Sequence, residues 1–217
     1  MTADRAQVVT IFVSAGDAMA AVVARIGPQQ WDGPGLGEWT VRDLVGHASR
    51  AFTTVVEYLL AERPLEGRAG EVMDDDPVGA AGAYFGATVD DPALSAQVAA
   101  RGREAGASLG SDPVTTVAAC VAAARQTVAD APDGAVFGTR FGVVGFTTYL
   151  CTRVVEAVVH TLDIAAACGT TVDLPPDAER LVLAVLAESA RHRGEGPVVI
   201  RALGGREPLV EAFSLFG

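Results

Sequence analysis

Segment 147–167 sets the hardest condition on the fold. Val154, Val155, Val158, Val159, Leu162 and Ile164 make its wider faces apolar, the pattern of a helix that runs through a core. Tyr149, Arg153, Glu156, His160 and Asp163 nevertheless follow one another at intervals of four, three, four and three residues, so they fall on one line along that helix. Burying an unpaired carboxylate, guanidinium or imidazole costs roughly several kcal/mol. The row must therefore be paired within itself, bind an ion, or face a wet cavity. Glu156 and His160, at i and i+4, place a carboxylate oxygen and an imidazole nitrogen on adjacent turns within reach of one divalent ion. His47 is the other inward-looking imidazole that could complete an N/N/O set. Asp163 could orient a ligand from behind or serve as a base. An ordinary surface pair has the same Glu-x-x-x-His spacing. His192, between Arg191 and Arg193 at a helix end, reads as solvated.

The rest of the chain supplies partners for such a helix. Val8, Ile11, Phe12, Met19, Val22, Val23 and Ile26 recur at helical spacing over 2–26, and Gly27-Pro28 stops the run. A loop to Glu38 follows, with Trp31 as its large anchor. Thr40 opens a second helix as N-cap, with Asp43 placed to complete a capping box. Its stripe is Leu44, Val45, Ala48, Phe52, Val55, Val56 and Leu59, with His47 at the margin. Residues 63–91 read as a long crossover holding one short helix near 80–88, and Asp74-Asp75-Asp76 as a solvated loop that lacks the alternating ligands of a calcium site. Pro92 and Ser111-Asp112-Pro113 open helices to about 108 and 129. Residues 135–145 form a loop with one short extended segment. Gly169 closes the helix that begins near 146. A helix from Pro175-Pro176-Asp177 reaches 192, and Val198-Val199-Ile200 reads as a strand turning at Gly204-Gly205. The expected organisation is all-α: an antiparallel helical bundle over 1–170 and a short C-terminal appendage, 171–217, of helix plus strand or hairpin.

Composition narrows the partners. With 217 residues, half of them apolar, the chain can bury one sizeable core. Its net charge of −11 disfavours nucleic acid and anionic membrane. All 16 cations are arginine, which together with the abundant Ala, Gly and Val suggests a GC-rich bacterial genome. Ser14, Asp17 and Arg25 interrupt the first apolar stretch, so neither a signal peptide nor a membrane span is expected and a cytoplasmic protein is. Cys120, Cys151 and Cys168 lack metal-binding or disulfide spacing and read as small buried hydrophobes, with a reactive thiol at Cys151 as the alternative.

The stretch Trp39-Thr40-Val41-Arg42-Asp43-Leu44-Val45-Gly46-His47 resembles the W-T-V-R-D-L-x-x-H signature of the mycothiol-dependent maleylpyruvate isomerase N-terminal domain family, a branch of the DinB-like metal-binding bundles. Tyr149-Leu150, Arg153, Glu156 and Val159-His160-Thr161-Leu162-Asp163 resemble its second signature, Y-L-x-x-R-x-x-E-x-x-x-H-x-x-D. The resemblance covers about the first 170 residues. It implies a DinB-like four-helix bundle and a divalent ion, commonly zinc with nickel as an alternative, on His47, Glu156 and His160. It also implies mycothiol as thiol cosubstrate and a small electrophile of the maleylpyruvate kind. Arg153 and Asp163 are then the candidate catalytic residues, while Trp39, Arg42 and Asp43 match as structural positions. Those isomerases carry a larger C-terminal domain that contributes to the active site, whereas fewer than fifty residues follow Gly169 here. The substrate pocket therefore transfers least. Three classes of function follow: a metal-dependent thiol transferase or isomerase, a metal-dependent hydrolase, and a non-enzymatic metal-stabilised binding or stress-response module. The expected assembly is a monomer or homodimer.

Overall fold

The computed structural model describes residues 4–60, 76–86, 92–139, 142–211 and 213–215. Within them the chain runs α1 (Arg5–Val23), α2 (Val41–Tyr58), β1 (Leu59–Leu60), α3 (Pro77–Gly86), α4 (Pro92–Ser108), α5 (Pro113–Asp130), β2 (Val136–Thr139), β3 (Gly142–Gly145), α6 (Phe146–Ala167), α7 (Pro176–His192) and α8 (Gly196–Leu203). The fold is all-α with one small antiparallel sheet.

Local rules place the helix starts. Asp4 accepts the Gln7 amide while the Gln7 side chain accepts the Asp4 amide, and Thr40 and Asp43 exchange the same pair of bonds at α2. Asp112 accepts the Thr115 amide behind Pro113 at α5. Each box satisfies amides that a helix start leaves without partners. Asp76, the end of the acidic run, accepts the Gly79 amide at the start of α3; Asp74 and Asp75 lie outside the described residues.

Helices α1, α2, α5 and α6 form a ring of four, with α1 and α2 each packed against both α5 and α6. Phe12 and Met19 of α1, Leu44 and Phe52 of α2, Val117 and Ala124 of α5, and Leu150 and Val154 of α6 fill its centre, all at most 1% exposed. Each such large side chain contributes about 1.5–3 kcal/mol relative to an exposed one. By length and composition alone α1 could cross a membrane; here its apolar side is buried against α5 and α6. A Cβ on Gly16 would stand 2.9 Å from Val121 and 3.0 Å from Phe52, so this glycine lets three helices meet.

Two additions shape the functional end. Helix α4 lies on α2, where a Cβ on Gly46 would come within 2.2 Å of the Gly106 amide nitrogen. The two backbones touch there, one residue from His47. The sheet closes the bundle through Phe137, which is fully buried and stacks 4.2 Å from Tyr149 and 5.7 Å from Phe146. Leu59, expected in the α2 stripe, instead pairs with Phe137 as β1, and the expected single extended segment is the antiparallel pair β2–β3.

Helix α7 packs against α3 and α6, and α8 against α7. The strand expected at 198–200 is a correction: those residues belong to α8. Three β-branched residues in succession suggested a strand, but a strand needs a neighbour for its ladder. The sheet lies at β1–β2–β3, and Pro197 at the first turn fits a helix start. Gly205, at φ +68°, follows its end.

Candidate metal centre

His47 reaches the interior from the second turn of α2. The preceding loop fixes that helix start, since the amides of Val41 and Arg42 donate to Gly33 and Trp31 carbonyls. Trp39 then locks the wall behind it. Its indole nitrogen donates to the Ala99 carbonyl of α4 at 3.1 Å, and its ring lies tilted by 35° against His47 at 4.6 Å between centres. A side chain on Gly102 would strike that indole at 2.6 Å. His47 Nδ1 is left buried with no hydrogen-bond partner among the described residues. Such an atom costs about 1–3 kcal/mol unless something binds it.

The polar row on α6 is paired along its length. The Arg153 guanidinium lies 4.9 Å from the Tyr149 ring centre and 4.0 Å from Glu156 Oε1. Glu156 Oε2 is 3.3 Å from His160 Nε2, and Asp163 Oδ2 is 3.0 Å from His160 Nδ1. The condition set by the sequence is thus met by mutual pairing, with His47 facing the row. Its ring centre is 4.8 Å from that of His160, edge to face. One donor atom each from His47, Glu156 and His160 lies within 4.8 Å of the other two.

Electrostatics separates the two imidazoles. Burial, reinforced by His160, lowers the His47 pKa from 6.5 to about 4. Burial also opposes charge on His160, but its hydrogen bonds to Asp163 and Glu156 prevail and raise it to about 9. For Glu156, burial favours the neutral acid, yet His160 and Arg153 outweigh it and bring the pKa to about 2.

These residues fit a divalent ion. They offer two imidazoles and one carboxylate, the set zinc and its neighbours accept. One donor has a buried nitrogen with no protein partner, and another has a carboxylate behind its second ring nitrogen, the usual support for a ligating histidine.

The family model described as the mycothiol maleylpyruvate isomerase N-terminal domain matches residues 12–165. The chain belongs to this family. The matched stretch begins inside α1, ends two residues before the end of α6, and contains all three donors and Asp163. Its description ties the domain to mycothiol-related enzyme chemistry. Comparison with curated proteins and with solved structures gives no match.

A cavity of about 240 Å³ opens beside the centre, lined by His47 and Glu156 and by Arg50, Arg101, Tyr149 and Arg153. Arg50 and Arg101 were missed in the sequence. Arg50 was findable, being three residues from His47 on the same helical face. Arg101 was not, because it arrives on a separate helix. His192 stays outside the group, beside Arg191 at the end of α7. Cys151 is wholly buried in α6, which speaks for packing over reactivity.

Proposed function

We propose that this chain is a metal-dependent thiol transferase or isomerase in which His47, Glu156 and His160 hold one divalent ion, zinc or nickel. Mycothiol is the thiol, and a small electrophile of the maleylpyruvate kind is its acceptor. The observation that carries the reading is that donor atoms of three residues from α2 and α6 lie within 4.8 Å of one another, with His47 Nδ1 partnerless among the described residues. A divalent ion bound there would supply positive charge beside which a thiol loses its proton below its ordinary pKa.

The chain's own residues then have distinct tasks. Asp163 accepts from His160 Nδ1 and so points Nε2 at the centre. That bond also commits Asp163, which weakens its case as the free base a hydrolase would need. Trp39 covers the His47 ring and keeps water from one side. Arg153, held between Tyr149 and Glu156, adds to His160 in keeping Glu156 ionised and brings positive charge to the cavity. The three donors all come from one chain, as either a monomer or a homodimer would allow, and a cytoplasmic location suits a thiol that must stay reduced.

Cobalt-substituted protein tests this. Adding mycothiol should produce an intense sulfur-to-metal charge-transfer band, with glutathione and coenzyme A giving weaker responses. A saturable thiol complex that leaves the cobalt spectrum unchanged would put the thiol elsewhere and favour hydrolysis or simple binding.

A further inference from the structure

The cavity beside the centre has a charge unlike the rest of the molecule. The chain carries −11 overall, yet among the described residues three arginines, Arg50, Arg101 and Arg153, line this one space with a single acidic residue, Glu156. That carboxylate is already engaged with His160 and Arg153. Arg50 and Arg101 differ from Arg153 in one respect: neither guanidinium forms an ion pair or hydrogen bond with any described residue. Both are nevertheless half-buried rather than free on the surface.

Their spacing is built in. Arg50 stands on α2 and Arg101 on α4, and these helices are fixed to each other by the backbone contact at Gly46 and Gly106 and by the Trp39 bond to Ala99. Tyr58 and Tyr84 line the same space. Guanidinium forks and phenols in a confined cavity suit an oxyanion, which takes charge-assisted hydrogen bonds from several donors at once. At about 240 Å³ the space is smaller than the roughly 300–1,000 Å³ of drug-sized pockets, so the ligand is a small acid.

We propose that Arg50 and Arg101 form an anion subsite that holds the carboxylate or phosphate of a small electrophilic substrate beside the His47–Glu156–His160 centre. Its assignment to the electrophile rests on the function proposed above: mycothiol carries no carboxylate or phosphate, so the two arginines serve the other reactant. The anion itself does not depend on that reading, because the arginines bind it whether or not an ion is present.

The test uses the full chain, metal-loaded and metal-stripped, titrated at constant ionic strength with succinate, inorganic phosphate and neutral succinamide. Calorimetry and thermal unfolding should show succinate or phosphate binding in both forms and succinamide in neither, and the tighter anion identifies the group. R50Q/R101Q should lose at least about tenfold in anion affinity, or about 1.4 kcal/mol, while keeping the parent's metal content and helicity. Should the double variant not fold, R50Q and R101Q singly must each show a partial loss. The subsite is overturned if anions bind no better than succinamide, or if anion binding is unchanged in the variants. Anion binding that vanishes with the metal but survives R50Q/R101Q would place the anion on the ion and refute the subsite too. If the chain takes up no metal, the stripped protein still decides this proposal, so the two failures are distinguishable.

Discussion

His47 and His160 face each other across 4.8 Å in opposite settings. His160, on α6, is gripped between Glu156 and Asp163 and held cationic. His47, on α2, lies under Trp39 with its buried Nδ1 lacking a partner among the described residues, and burial holds it neutral. The α6 half of the site is therefore satisfied by its own residues. The α2 half offers that nitrogen no partner among the described residues, and something placed between the helices would complete it. On the proposed reading that something is an ion, and its arrival must expel the proton that His160 carries on Nε2.

The contrast can be broken most decisively by deleting each ring. His47→Ala and His160→Ala should each lower ion affinity by more than about 100-fold, the upper end of what supporting residues cause, as read by calorimetry with zinc. In the metal-free protein the two should part company. His160→Ala leaves Glu156 and Asp163 without their shared cation and should cost about 3 kcal/mol in urea unfolding. His47→Ala removes an unsatisfied nitrogen and should cost less than half as much. Equal costs would erase the distinction.

Titration of metal-free stability sharpens the same point. The His160 pKa rises on folding from 6.5 to about 9, so its stabilisation is complete below 6.5 and lost as pH climbs through 9. The His47 pKa falls from 6.5 to about 4, so stability is lost as pH drops from 6.5 towards 4, where the unfolded chain takes a proton the folded one refuses. Each limb amounts to about 3 kcal/mol, and together they place the pair's optimum near pH 6.5. His47→Ala should flatten the acid limb alone, whereas His160→Ala should flatten the alkaline limb and also make the acid limb shallower, because His160 helps to hold the His47 pKa down. The smallest effect belongs to Asp163→Asn, which keeps the ion but weakens it by about 10–100-fold; an unchanged affinity would deny Asp163 its orienting role.

What could be read in advance follows from the range of the forces. The Thr40–Asp43 box, the α6 row and the inward cast of His47 are set by residues within a turn or two, so spacing revealed them. Arg101 reaches the cavity only because α4 docks on α2 through Gly46 and Gly106, a contact between residues 60 apart in number that periodicity does not register. Residues 198–200 were misread for a related reason. Their β-branched side chains suit a strand, but Ile200 stays 72% exposed, with no ladder neighbour to make extension favourable. A helix satisfies its own backbone without one.

The central claim is that His47, Glu156 and His160 together bind one ion. Untagged, metal-stripped protein should be titrated with zinc at pH 7.5 in buffers of differing ionisation heat, which counts ions and released protons together. The account predicts one ion per chain and close to one proton released, from His160, with His47→Ala binding neither tightly nor with that release. Equal uptake by parent and His47→Ala, or uptake without proton release, would contradict it.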